Sequence, residues 1–173
     1  MNHLNIEIKA KCLDHEKVKG ILKSLNADFK GTDHQIDMYF NVTKGRLKLR
    51  EGNIENHLIF YERENKEGPK QSNTILFDFV PGSSLKNILI NSLGVIVVVD
   101  KSREIYFIDN VKFHIDTVKD LGTFVEIEAI SENESIEKGK LIEQCNKYLA
   151  ILGISEKDLV SDSYSDLLLK NTK

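Results

Sequence analysis

Alternating apolar and polar residues run through most of this chain, the pattern typical of a half-buried β-strand. Glycine, aspartate and asparagine residues that favour turns divide the alternation into nine predicted strands. These are residues 4–12, 35–41, 45–51, 57–64, 73–80, 95–100, 103–108, 111–117 and 123–131. Because several of them follow one another with only a short turn between, they are expected to pair as antiparallel hairpins.

Three longer segments carry their apolar residues at helical spacing instead. They cover residues 14–26, 83–94 and 135–152, with short helical segments expected near 155–160 and 163–169. Asp14 is placed to cap the first helix, and Gly94 and Gly153 are placed to end the second and third. Consecutive strands with only three long helices predict an α+β fold, built on an antiparallel sheet large enough to curl or to close on itself.

Composition narrows the class of protein. The 173 residues are enough for one domain spanning 1–173, and the net charge of −3 argues against a general nucleic-acid binder. The longest apolar run, residues 95–99, is too short to cross a membrane, and the first twenty residues lack the apolar core of a signal peptide. We therefore expect a cytoplasmic protein, with Cys12 and Cys145 as buried free thiols.

The predicted strands share one unusual feature, a face made almost entirely of charged residues. In NIEIKAK, residues 5–11, isoleucine and alanine alternate with Glu7, Lys9 and Lys11. The same alternation recurs in several later strands. The charged residues on those faces are Arg46, Lys48, Arg50, Arg63, Lys101, Arg103, Lys112, His114, Asp116, Glu126 and Glu128.

Closure of the sheet would bring these charged faces together in a lumen, because amphipathic helices would cover the apolar faces outside. Like charges in a lumen repel one another unless something neutralises them. A triphosphate with bound Mg²⁺ or Mn²⁺ meets both needs, since Lys and Arg bind phosphate oxygens and carboxylates bind hard cations. The alternative is a set of solvated faces on an open sheet, and the pattern alone does not separate the two.

These residues resemble the CYTH superfamily, the triphosphate tunnel metalloenzymes, which include class IV adenylyl cyclases and triphosphatases. The resemblance covers nearly the whole chain, and Glu7 and Lys9 match its N-terminal E-x-E-x-K signature, whereas Asn5 stands where the family has its first glutamate. The family's fold implies an eight-stranded antiparallel β-barrel, a tunnel flanked by helices. The other matching segments are GRLKLRE (45–51), KSREIYF (101–107), LGTFVEIE (121–128) and SYSDLL (163–168).

The resemblance also implies roles for individual side chains. Lys9, Arg63 and Lys101 are expected to take part in catalysis. The residues expected to grip the polyphosphate are Lys9, Lys11, Arg46, Lys48, Arg50, Arg63, Lys101 and Arg103. The residues expected to hold Mg²⁺ or Mn²⁺ are Glu7, Asp116, Glu126 and Glu128. Glu128 could compensate for the carboxylate that is missing at Asn5.

The segments within 101–128 resemble the class IV cyclases most, which implies conversion of ATP to cyclic AMP and diphosphate. Two alternatives stay open: a triphosphatase acting on an inorganic or organic triphosphate, and a protein that binds polyphosphate or nucleotide without turnover. No nucleic-acid or membrane partner is expected. A homodimer formed through an outer sheet face is compatible with the pattern, although nothing in the pattern requires it.

Five further polar residues have expected positions in the lumen, in turns or at the surface. His114 lies on the lumen face, where a structural role and a role as a base are both open. Tyr61 is expected to face the lumen as well. Asp33 and Asp37 are interpreted as turn or rim residues, and His57 as a surface residue.

Overall fold

The computed structural model describes residues 2–132 and 135–171. Its strands are β1 (Asn2–Lys11), β2 (Asp28–Phe40), β3 (Arg46–Glu51), β4 (His57–Arg63), β5 (Lys70–Asp78), β6 (Val95–Ile108), β7 (Val111–Val118) and β8 (Gly122–Glu132). They close into a barrel in the order β1-β5-β4-β3-β2-β6-β7-β8, and every neighbouring pair is antiparallel. The predicted α+β class and the eight-stranded antiparallel barrel are confirmed.

The long pairing of β2 with β6 differs from the sequence prediction in two ways. Residues 95–100 and 103–108 form one strand rather than two, and residues 28–34, which were not expected to be strand, belong to β2. This part of β2 escapes the alternation rule because its buried residue is Asp33 instead of an apolar residue.

Four α-helices flank the barrel, and their ends follow the expected capping chemistry. The side chain of Asp14 accepts a hydrogen bond from the backbone N–H of Lys17 at 3.0 Å. Gly94 and Gly153 follow α2 and α3 with φ of 71° and 66°, where a β-carbon would be strained. No helix in the described residues is long and apolar enough to span a membrane. The helices are α1 (His15–Ser24), α2 (Leu85–Leu93), α3 (Lys138–Ile151) and α4 (Tyr164–Asn171).

The main apolar core lies outside the barrel, between its wall and the helices α1 and α3. Ile8, Phe113 and Ile127 point outward from β1, β7 and β8 and are at most 1 % exposed, packed in one cluster with Leu22 and Leu141. Burial of each such side chain is worth about 1.5–3 kcal/mol. Helices α1 and α3 therefore cover the apolar faces of β1, β7 and β8 and leave the charged faces of these strands inside, as the sequence predicts. Both cysteines are free and buried, as predicted.

Candidate functional site

The inner faces of the strands line a cavity of about 310 Å³. Side chains of both charge signs and a few aromatic rings surround it, and an enclosed volume of this size suits a small polyanionic ligand. The charged and imidazole side chains lining it are Glu7, Lys9, Asp37, Lys48, Arg50, Glu55, His57, Arg63, Lys101, Arg103, Lys112, His114, Glu126, Glu128 and Glu132.

Three of the predicted site residues do not line this cavity. Lys11 is exposed at the end of β1. Arg46 donates to Asp166 at 2.9 Å instead. Asp116 is fully buried in the wall, where its carboxylate accepts hydrogen bonds from Nε and Nη2 of Arg103. The remaining nine predicted residues line the cavity together.

A group that we call the Asp37 cluster, Asp37 with Lys48, Arg50 and Lys101, occupies one wall of the cavity. Arg50 lies directly opposite Asp37 in the β2–β3 register and donates to its two oxygens at 2.8 and 2.9 Å. Lys101 and Lys48 donate to the same carboxylate at 2.6 and 2.9 Å. The interpretation of Asp37 as a rim residue is wrong: it is 1 % exposed and is the shared anion of three cations.

The electrostatics of this cluster follow from burial and from close opposite charges. Burial opposes ionisation of Asp37, but Arg50, Lys101 and Lys48 outweigh it and hold the pKa of Asp37 well below its usual range. Burial, assisted by nearby Arg50 and Arg103 and opposed by Asp37, lowers the pKa of Lys101 to about 7.

The loop between β3 and β4 places a further carboxylate, Glu55, in the cavity. Asp33 fixes the loop by accepting two of its backbone N–H groups at 2.9 and 3.0 Å, so its interpretation as a turn or rim residue is also wrong, because it is fully buried. A β-carbon at Gly52 would lie 2.7 Å from both Asp33 oxygens, so the close approach requires glycine there. Glu55 accepts from Arg50 at 2.9 Å and from Lys112.

A second group, the Arg63 group, consists of Glu7, Lys9, Arg63, His114 and Glu126. Arg63 donates to Glu7 through Nη1, while its Nε and Nη2 are buried without a hydrogen-bond partner in the described residues. Lys9 lies 3.1 Å from Oε1 of Glu126, and Nδ1 of His114 lies 3.0 Å from Oε2 of the same carboxylate. Each cation of the Asp37 cluster donates to Asp37, whereas two guanidinium nitrogens of Arg63 have no partner in the described residues.

His114 lines the cavity and has one ring nitrogen without a hydrogen-bond partner in the described residues. Burial, assisted by Arg103, lowers the pKa of His114 to about 4. Lys9 and Arg103 hold the pKa of Glu126 well below its usual range despite burial, so Glu126 can only accept hydrogen bonds. Nδ1 of His114 therefore carries the proton, and Nε2, buried and without a partner among the described residues, carries the lone pair.

Asn5, where the family has a glutamate, is paired with the carboxylate that could compensate for it. Its amide nitrogen donates to Oε1 of Glu128 at 2.6 Å, and its Oδ1 is buried without a partner in the described part of the chain. Burial raises the pKa of Glu128. An amide at position 5 thus meets Glu128 with a hydrogen bond, where a second carboxylate would repel it.

Whether these residues suit a divalent metal ion depends on their donor atoms. Within residues 2–132 and 135–171, no three His, Cys, Asp or Glu side chains stand in a ready metal-binding arrangement. Glu7, Glu126 and Glu128 line the same cavity, but each is engaged by a cation or an amide. Their oxygens are the donors that Mg²⁺ and Mn²⁺ prefer, and the unpartnered Asn5 Oδ1 and His114 Nε2 are two further acceptors. The donor set fits a hard divalent ion.

Helix α4 contributes Tyr164 to the cavity wall. Its hydroxyl donates to Asp116 at 2.7 Å, and the ammonium of Lys9 lies 3.7 Å from its ring centroid. The tyrosine belongs to the SYSDLL segment near the C-terminus. This segment therefore helps to position Lys9, which lies near the N-terminus.

Sequence reasoning missed several residues of the cavity, among them Asp37, His57 and Glu55, and the first two carried a usable signal. Asp37 shares a strand face with Gln35 and Tyr39, and His57 shares one with residues 59, 61 and 63. Strict two-residue periodicity would therefore have placed both inside. His57 therefore lies in the cavity wall, and its interpretation as a surface residue is wrong. Glu55 is on a loop, where no periodicity exists to reveal it.

Comparisons with known proteins agree with this architecture. The CYTH domain model matches residues 3–164. A Methanocaldococcus jannaschii protein named "Putative adenylate cyclase MJ0240" is 28% identical over 173 residues, covering 95% of this chain and 98% of the relative. The structure of PH1012 from Pyrococcus horikoshii OT3 superposes with a TM-score of 0.77 at 25% identity, covering 94% of this chain and 98% of that one.

A more distant structure shares the fold. It is that of HpAC1 from Hippeastrum, which is described as a putative adenylyl cyclase with a dominant triphosphatase activity. It superposes with a TM-score of 0.61 at 14% identity, covering 97% of this chain and 95% of that one.

Proposed function

Since this chain belongs to the CYTH domain family, we propose that its tunnel binds a triphosphate and processes it with the help of a divalent metal ion. The proposal rests most directly on Arg63. Its side chain is 4% exposed, yet two of its donor nitrogens have no partner in the described residues. A buried guanidinium with unpaired N–H groups is costly unless a ligand accepts them, and phosphate oxygens accept such donors well.

The neighbouring side chains support binding of the same anion. Lys9 and Lys101 line the same cavity as Arg63, and Arg103 is held in place by the buried Asp116. Asp116 is thus proposed to position Arg103 rather than to meet the ligand directly. Glu7, Glu126 and Glu128 would hold Mg²⁺ or Mn²⁺, which when bound neutralises phosphate charge and favours in-line displacement.

The reaction that we propose is cyclisation of ATP, supported by the name of the Methanocaldococcus jannaschii relative. The ribose 3′-oxygen attacks the α-phosphorus, and the bond from that phosphorus to the bridging oxygen breaks. Diphosphate leaves with the electron pair, and the hydroxyl proton passes to solvent. The chain's cations would hold the leaving diphosphate as its charge develops.

The second candidate is triphosphate hydrolysis, which the activity described for HpAC1 supports. In that reaction a water molecule replaces the ribose hydroxyl and attacks the terminal phosphorus, whose bond to the bridging oxygen breaks. The diphosphate part of the substrate leaves with the electron pair, a water proton passes to solvent, and phosphate is the other product. Both reactions use the same grip on the triphosphate, so they differ in the nucleophile and in the phosphorus attacked.

The deciding experiment incubates the purified protein with ATP, inorganic triphosphate or thiamine triphosphate, each with Mg²⁺ or Mn²⁺. Mass spectrometry measures cyclic AMP, and a colorimetric assay measures phosphate. Cyclic AMP with diphosphate supports the cyclase, and phosphate supports the triphosphatase. Calorimetric binding without turnover would instead identify a binding protein, and neither binding nor turnover would overturn the proposal.

A pair of matched variants tests whether Glu128 compensates for the carboxylate missing at Asn5. Glu126→Gln and Glu128→Gln each remove one charge from neighbouring inward positions of β8. If Glu128 supplies the missing charge, both variants raise the metal concentration needed for half-maximal activity. Compensation is excluded if Glu128→Gln leaves metal-dependent activity unchanged while Glu126→Gln abolishes it.

A further inference from the structure

We propose that Nε2 of His114 is a direct ligand of the divalent ion, an assignment that rests on the proposed function of the tunnel. Five structural facts meet at this atom. His114 is 3% exposed, it lines the cavity, its Nδ1 is engaged by Glu126, its Nε2 is buried, and that Nε2 has no partner among the described residues.

The pairing of His114 with Glu126 matches the way proteins orient a metal-binding imidazole. Such histidines donate one ring N–H to a carboxylate, which fixes the tautomer and turns the other nitrogen toward the metal. The 3.0 Å contact between Nδ1 of His114 and Glu126 has this form. Glu126 then orients His114 through Oε2 in addition to its proposed role in holding the ion, and Glu7 and Glu128 supply further oxygen donors.

Within residues 2–132 and 135–171, no hydrogen-bond donor is paired with Nε2. The nearby donors are engaged elsewhere: Lys112 donates to Glu55, and Arg103 donates to Asp116 and Glu126. Phosphate oxygens only accept hydrogen bonds at neutral pH, so the triphosphate chain cannot satisfy a lone pair. A metal ion can, and so can a hydroxyl of a nucleotide. A measurement with metal alone separates these two.

A nitrogen ligand has a consequence for metal choice. Carboxylate oxygens suit Mg²⁺ and Mn²⁺ alike, whereas an imidazole adds affinity for transition metals and little for Mg²⁺. The inference therefore predicts that Mn²⁺ binds this tunnel more tightly than Mg²⁺, and that His114 is the source of much of that preference.

The test uses Mn²⁺ alone, added to the full-length protein, and pulsed electron paramagnetic resonance, which detects nitrogen nuclei bonded directly to Mn²⁺. The expected wild-type spectrum contains ¹⁴N modulation that changes to the ¹⁵N pattern when histidine is ¹⁵N-labelled. In His114→Ala the modulation disappears, and the Mn²⁺ dissociation constant rises at least about ten-fold while that of Mg²⁺ changes less.

The matched control is His57→Ala, because His57 and His114 are the histidines among the described residues that line the cavity. This variant is expected to keep the nitrogen modulation. If His114→Ala does not fold, the labelled wild-type protein and His57→Ala still decide the question. Modulation that survives in His114→Ala, or vanishes in His57→Ala, overturns the inference.

The remaining outcomes distinguish this inference from the proposed function. Mn²⁺ bound without nitrogen modulation overturns the role of His114 and leaves the metal-dependent tunnel standing. Absence of any Mn²⁺ binding overturns both.

Discussion

The Asp37 cluster and the Arg63 group are built from the same kinds of residues, yet they differ in how their hydrogen-bond donors are paired. In the Asp37 cluster, Lys48, Arg50 and Lys101 all donate to one buried carboxylate at 2.6–2.9 Å. In the Arg63 group, Arg63 meets one carboxylate with one nitrogen and leaves two others unpartnered in the described residues. Every cation of the Asp37 cluster is tied to one carboxylate, whereas Arg63 has two guanidinium nitrogens that a ligand can use.

A run of cations on a strand is therefore not by itself evidence of a phosphate-binding site. A buried cation needs an opposite charge, and the protein can supply that charge itself. Where it does, the cations stabilise the wall and tune one another's pKa. Where it does not, the unpaired donors mark the position that a ligand would occupy.

The largest effect is expected from Arg63→Ala, which removes the unpaired donors. By analogy with the loss of a single preorganised donor at an anionic transition state, turnover of the triphosphate should fall about 10²–10³-fold. Steady-state kinetics measure this, with Lys44→Ala as the control because Lys44 is exposed and pairs with Glu62 outside the barrel. Equal losses of turnover in Arg63→Ala and Lys44→Ala would contradict a special role for the unpaired donors of Arg63.

Asp37→Asn should cost the next largest amount, this time in stability. Removing the carboxylate leaves three buried cations without their shared partner, and breaking such a pair costs about 3–5 kcal/mol. Urea unfolding measures the loss. Because the freed cations can then accept a ligand, inorganic triphosphate should stabilise the variant more than the wild type. Stability within about 0.5 kcal/mol of wild type would show that the cluster is not ionised.

Lys70 sharpens the comparison, since it is a buried cation whose acceptors are backbone carbonyls. Its ammonium donates to Val160 and Ser161 at 3.0 and 3.2 Å, and burial lowers its pKa to about 8. In the unfolded chain Lys70 keeps its proton up to about pH 10.4, so the unfolded state binds more protons between these values. The free energy of unfolding should therefore rise with pH, by about 1 kcal/mol per unit from this residue.

Lys70→Met should remove that part of the slope. Urea titrations of both proteins between pH 7.5 and about 10 measure it, and parallel slopes would show that Lys70 titrates normally.

The smallest effect is expected at the exposed pair of Lys44 and Glu62, whose side chains are 77% and 41% exposed. Lys44→Ala should change the free energy of unfolding by less than about 0.5 kcal/mol, because water screens the pair. Thermal unfolding at low and high salt checks this, and a loss above 1 kcal/mol would mean that surface pairs rival the buried cluster.

Much of the fold could be predicted because its signal is local. Two-residue alternation identified the strands, turn residues divided them, and Asp14 marked the start of α1. The polar stretch at 28–34 was missed because its buried residue, Asp33, lacks the apolar character that alternation relies on. The same alternation placed nine of the predicted site residues in the cavity wall.

The sequence by itself determined which faces of the strands are charged, and with them the sign and chemistry of the lumen. Only the tertiary structure decided which charges meet. Asp37 and Lys101 are 64 positions apart, and Arg63 and Glu7 are 56 apart, so barrel register rather than local pattern sets their pairing. Pairing in turn decides which donors remain free, because each buried charge binds whichever opposite charge the fold brings within a few ångströms.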